Sequence, residues 1–149
     1  MHRRVKILVR AFEMISDEKC WAQGASAIDR TGAPVRTNDR RAVAWCAVGA
    51  LDRAAGDDDE LFESCLRYLQ KASLQLFQGD PAVINDNTDH VALVEMYTRA
   101  IQLANRHENR NSASRVSSSY RRPARDDIFA RTRLRLISTP AAAAAGGAR

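Results

Sequence analysis

The sequence predicts a mainly α protein: a small helical bundle of about four helices, interrupted by a short β-hairpin and followed by a disordered basic C-terminal tail. Three observations predict it. Apolar residues recur at three- and four-residue spacing in three segments of the first 107 residues, and a fourth, Ala42–Leu51, is apolar throughout. Residues 20–35 carry Gly and Pro too often for a helix. From residue 108 onward the apolar periodicity stops and arginine accumulates. The expected division is a helical domain over residues 1–107 with a hairpin near 25–35, then a tail over 108–149.

Val5, Leu8, Phe12 and Ile15 form an apolar stripe, widened by Ile7, Ala11 and Met14, so residues 4–16 are expected to be a core-packing helix. The segment CWAQGASAIDRTGAPV follows. Its Asp29-Arg30-Thr31-Gly32 suits a type I turn joining Ala25–Ile28 to Ala33–Val35, with Pro34 on an edge. Thr37, Asn38 and Asp39 then offer caps for a helix near 40–55 that stops at Gly56. Ala42–Leu51 is apolar throughout, which predicts the central helix, with Gly49 at a close helix crossing. The acids Asp57–Glu60 complement the positive end of the next helix, whose stripe is Leu61, Cys65, Leu69, Ala72 and Leu76 and which ends at Gly79-Asp80-Pro81. By composition PAVINDNTDH is a loop. Thr88 is expected to cap a last helix with Leu93, Tyr97, Ala100, Ile101 and Ala104 on one face, running to about Arg106.

The chain has 149 residues and a net charge of +5, but the charge separates. Residues 1–107 hold 14 Lys and Arg against 15 Asp and Glu, whereas 108–149 hold nine Arg against three acids, so the basic character belongs to the tail. The longest apolar run is about half of a bilayer crossing, and Glu13 breaks the amino-terminal hydrophobic stretch, so neither a membrane span nor a secretory signal is expected. Cys20, Cys46 and Cys65 are an odd set without CxxC spacing, which suits a reducing cytoplasm.

Chemistry-bearing side chains are few. Cys46 beside Trp45 is a nucleophile by residue type, with His90 or Asp86 as its base. Its all-apolar surroundings predict instead a packed, quiet thiol, for which Ser is a worse replacement than Ala. Cys65 lies on a core stripe. His2, His90 and His107 stand at no metal-ligand spacing, so no metal and no cofactor is indicated. Dinucleotide, P-loop, nucleophile-elbow and HExxH patterns are missing from the sequence. Asn85 and Asp86 are expected to close a loop or cap a helix, each contributing about 0.5–2 kcal/mol. If that loop meets the hairpin region at one end of the bundle, Trp21, Gln23, Asp29, Asn85 and Asp86 form a polar recognition corner.

The ordered combination WxxGAxAxDxxGxPV and AxxWCxxGAL, followed by IND and a closing AIQLAN, resembles a family of small bacterial and phage proteins of unknown function over roughly residues 5–105. The resemblance implies helices around a hairpin and carries no catalytic residues. The Arg-rich tail lies outside it.

Three function classes follow. The first is a small cytoplasmic protein-interaction or accessory module presenting the hairpin and the Asn85-Asp86 loop to a protein partner. The alternative is a nucleic-acid-associated protein using Arg115, Arg121, Arg122, Arg125, Arg131, Arg133 and Arg135 to neutralise phosphates. The third is an unrecognised enzyme with a cysteine or carboxylate site, which the sequence favours least.

Overall fold

A computed structural model describes residues 1–119. Helix α1 (Arg3–Ile15) buries Val5, Leu8, Ala11 and Ile15 and rests Phe12 on the Tyr97 ring, with centroids 6.1 Å apart. After a 3₁₀ turn at Glu18–Cys20, strand β1 (Ala27–Ile28) pairs antiparallel with β2 (Ala44–Trp45). Helices α2 (Ala47–Ala55), α3 (Asp59–Phe77), α4 (Pro81–Asn87) and α5 (His90–Ser119) complete the order. One core joins α1, α2, α3 and α5 through Leu8, Leu51, Leu69, Leu93, Met96 and Tyr97. The architecture is therefore mainly α with a two-stranded hairpin.

The expected hairpin forms, with Asp29 N–H donating to Ala33 O and Val35 N–H to Ala27 O, both at 3.0 Å, but its first strand takes a further partner. The turn forms, with Gly32 N–H donating to the Asp29 carbonyl at 3.0 Å, and Ile28 makes a single bridge to Pro34. That further partner is Ala44–Trp45, placed by sequence inside a helix over 40–55. A continuous apolar run has no period to separate strand from helix, and tertiary bonds decide it. Val43 N–H donates to Ile28 O at 2.9 Å, Cys46 N–H to Ser26 O at 3.1 Å, and the Trp45 indole to Thr37 O at 2.9 Å. Gly49 is the site of a close approach, but by the Ser26 backbone rather than a helix: a Cβ there would stand 2.0 Å from the Ser26 oxygen.

Asp58 caps α3 by accepting from Leu61 N–H at 2.9 Å, as the acidic run predicts, and Gln78 ends the helix in the left-handed region at φ 57°. Leu76 is exposed rather than on the buried stripe. The expected loop over 81–87 is helix α4: Asp80 accepts from Ala82 N–H at 2.9 Å, and Pro81 occupies a first-turn position where its missing N–H does no harm. Asp89, not Thr88, caps α5 by accepting from Ala92 N–H at 2.9 Å, while the Thr88 hydroxyl donates back to Ile84 O at 2.6 Å. Helix α5 continues through Ser119, where lost apolar periodicity predicts unstructured chain from 108. Periodicity reports burial, and solvent-exposed turns such as 109–118 carry none. Residues Met1–Asn111 form one compact unit; a second begins at Ser112, and its described part, 112–119, is the closing turns of α5. Among the described residues no helix is long and apolar enough to cross a membrane.

Candidate functional site

Helix α4 is short, and its two buried residues, Pro81 and Asn85, lie one turn apart on its inner face. Asn85 is 1% exposed, and its amide meets four partners. Its Oδ1 accepts from the Trp21 indole N–H at 2.7 Å and from Ala47 N–H at 2.9 Å. Its Nδ2 donates to Ala22 O at 3.0 Å and to Asp86 Oδ1 at 2.9 Å. Two donors on one side and two acceptors on the other fix which atom is oxygen and use the amide's full capacity. Ala47 opens α2, so Asn85 satisfies one of the amides that a helix start leaves unpaired.

The neighbours continue the same lattice. Gln23 Nε2 donates to Asn85 O and Thr88 O, both at 3.0 Å, closing carbonyls at the end of α4. Asp86 Oδ1 also accepts from Gly24 N–H at 2.9 Å. Ala22 N–H donates to Trp45 O at 2.9 Å, tying this segment to β2. His90, an early residue of α5, sits 5.5 Å from the Trp21 ring and donates from Nε2 to Ile15 O at 2.8 Å. The buried Tyr97 hydroxyl donates to Ala47 O at 2.5 Å. Trp21, Gln23, Asn85 and Asp86 thus meet at one end of the bundle, as a meeting of two chain segments predicts. Their polar groups bind backbone and one another, with Asn85 buried and Gln23 and Asp86 exposed.

Asp29 does not join them. Its Oδ1 accepts from the Thr31 hydroxyl at 2.6 Å, Thr31 N–H at 2.9 Å and Ala33 N–H at 3.1 Å, which together hold its carboxyl below the usual range, with help from Arg41. It stands instead at the rim of a 380 Å³ cavity between two loops, lined by Asp29, Arg30, Thr31, Arg40, Arg41 and Val43. Within the facing loop Arg41 grips Asp39 through its side chain (2.9 and 3.2 Å) and its backbone amide (2.8 Å), lowering that carboxyl to about 2. The arginines were missed by sequence reasoning because residues 29–31 and 40–43 are remote in the chain and only β1–β2 pairing joins them.

Cys46 is the N-cap of α2 rather than a mid-helix residue, and its Sγ accepts from Gly49 N–H at 3.2 Å. Burial raises its thiol pKa against the opposing amides of Gly49 and Val48, and the Asp86 charge acts in the same direction as burial. Burial likewise pushes Cys65 up to about 11. His90 is committed to Ile15. Among the described residues no group of three or more His, Cys, Asp and Glu side chains is placed to hold a metal ion. Arg115 is exposed on α5; Arg121, Arg122, Arg125, Arg131, Arg133 and Arg135 lie outside the described residues.

A braced helical domain that displays a hairpin is the class of protein these features define. The chain belongs to a family of unknown function, DUF6197, whose model matches residues 2–103, more than half of its length. No curated protein and no solved structure matches it.

Proposed function

We propose that the protein is a small non-catalytic interaction module of the cytoplasm, which docks an acidic surface of a protein partner on its hairpin face. The observation that carries this reading is the cavity at Arg30, Arg40, Arg41 and Val43. Asp29 is bound by its own loop and faces Arg41, Asp39 is paired with Arg41, and Arg30 and Arg40 are exposed and form no ion pair among the described residues. Arginine around an apolar floor is the composition of interface hot spots, because guanidinium forks bind carboxylates in two-pronged fashion. In this reading Asn85, with Trp21, Gln23 and Asp86, is the brace that keeps the loops preformed, and Asp29 shapes the turn.

The test is capture from a bacterial lysate by the full chain, by R30E/R40E and by Q23A, each checked for folding by circular dichroism. A salt-sensitive partner retained by Q23A and lost by R30E/R40E supports the reading. Identical capture by all three contradicts it.

The charge of the tail supports a second reading, in which its arginines bind nucleic-acid phosphates with little sequence preference. Replacing Arg115, Arg121, Arg122, Arg125, Arg131, Arg133 and Arg135 by Gln in the full chain should then abolish a steeply salt-dependent affinity for duplex DNA. Equal affinity of both proteins rules this out.

A further inference from the structure

A second groove lies away from the hairpin, where α1, α3 and α5 meet. On α3, Arg67 and Lys71 stand one helical turn apart, both exposed and without an ion pair among the described residues. Tyr68, between them in sequence, reaches across to α5, its hydroxyl 2.9 Å from His107 Nδ1. From α1, Arg4 enters the inner wall, with Nε donating to Ser64 Oγ at 3.2 Å and Nη1 to Glu108 at 2.7 Å. Arg4, Ser64, Arg67, Tyr68, Lys71 and His107 enclose about 290 Å³, and none of these lining residues is acidic. Glu108, which partly neutralises Arg4, lines the neighbouring cavity with Asp58 and Glu60 instead.

Like charges one turn apart on a helix repel, a repulsion between Arg67 and Lys71 that an anion between them relieves. The walls are set before any ligand arrives. The Cys65 thiol, on the buried face of α3, donates to Arg4 O at 3.6 Å, and Leu69 and Ala104 are fully buried beside it in the core. Donors approach from three helices, a geometry that serves the three terminal oxygens of a phosphomonoester better than the two coplanar oxygens of a carboxylate. When Tyr68 donates to Nδ1 of His107, Nε2 carries the proton and donates as well. The volume lies at the lower end of small-ligand clefts, roughly 300 Å³.

We propose that this groove binds a phosphomonoester, its dianion held by Arg67 and Lys71 of α3 and by the His107 imidazole, with Arg4 at the inner wall. The site is independent of the hairpin face, and neither reading depends on the other.

The experiment is a ¹⁵N–¹H NMR titration of the full chain at fixed ionic strength, first with inorganic phosphate and then with AMP. Three proteins are compared: the parent, R67Q/K71Q and the charge-matched control R10Q/R53Q. All four positions are exposed, so folding is retained and is checked by the spectrum itself. The expected result is saturable shifts centred on residues 67–71 and 107, with affinity lowered about tenfold or more in R67Q/K71Q and kept in R10Q/R53Q. AMP binding at least as tight as phosphate supports the phosphomonoester assignment. Non-saturating shifts spread over the surface, equal weakening in both variants, or exclusion of AMP while phosphate binds would each overturn it.

Discussion

Replacing Asn85 by Ala removes one small side chain and four hydrogen bonds. A capping residue exchanged for Ala ordinarily costs about 0.5–2 kcal/mol. Here the loss is greater, because the bonds to Ala47 N–H and Ala22 O are buried and neither group has a substitute partner. Leaving a buried polar group unpaired costs about 1–3 kcal/mol, so these two alone imply roughly 2–6 kcal/mol. The half-buried Trp21 indole and the exposed Asp86 carboxylate can turn to water and add little. A loss of about 2–6 kcal/mol follows, a large part of the roughly 5–15 kcal/mol that holds a domain of this size. Urea unfolding followed by circular dichroism and by tryptophan fluorescence measures it. Asn85→Asp refines the test: it keeps the acceptor for Trp21 and Ala47 but loses the donor and sets a second carboxylate against Asp86. It should also destabilise, and less so as pH falls. A loss below about 1 kcal/mol for Asn85→Ala would refute the reasoning, since water would then be replacing all four partners.

Other expectations follow from the same geometry. Gly49→Ala drives a methyl onto the Ser26 carbonyl 2.0 Å away and should cost more than the 1–3 kcal/mol of ordinary overpacking, or separate β1 from α2; thermal unfolding reads it. Cys46→Ser should destabilise less than Cys46→Ala, reversing the expectation from an all-apolar setting, because the N-cap position gives a hydroxyl the Gly49 amide to bind; paired urea curves decide this. Half-exposed Cys20 should react with a thiol reagent well before Cys46 and Cys65, and fast labelling of Cys46 in the folded protein would reopen the nucleophile reading. Cys65 ionises near 9.0 when unfolded and at about 11 when folded, so its contribution is complete below pH 9 and falls as pH rises towards 11, by about 1.4 kcal/mol per pH unit. Tyr97, also raised by burial, adds to the alkaline loss, and Cys65→Ala should make the decline shallower without abolishing it.

What was legible in the sequence was what periodicity and capping encode. The stripes of α1, α3 and α5 and the acidic cap of α3 follow from residue spacing along one helix, and they match except at Leu76, which is exposed. Strand β2 was hidden because Val43–Cys46 is apolar on every side, and its extended form depends on carbonyls of Ser26 and Ile28 far back in the chain. Helix α4 was hidden by its Asn and Asp content, although Asp80-Pro81 is an N-cap and first-turn pair that composition alone outweighed. The convergence of Trp21, Gln23, Asn85 and Asp86 was legible as two segments meeting. That their bonds would be spent on each other was not, because it turns on a single buried amide reaching the first amide of α2.

Site-specific photo-crosslinking distinguishes a bracing corner from a binding hairpin face. A photoreactive residue replaces Ala33, exposed beside the Asp29–Gly32 turn, or Leu74, which is 62% exposed on α3. Both proteins are irradiated in cells, with and without R30E/R40E. If the hairpin face binds, position 33 gives a discrete adduct with an acidic protein, position 74 gives none, and charge reversal abolishes the adduct. Adducts identical at both positions, or an adduct at 33 that survives R30E/R40E, would contradict that binding.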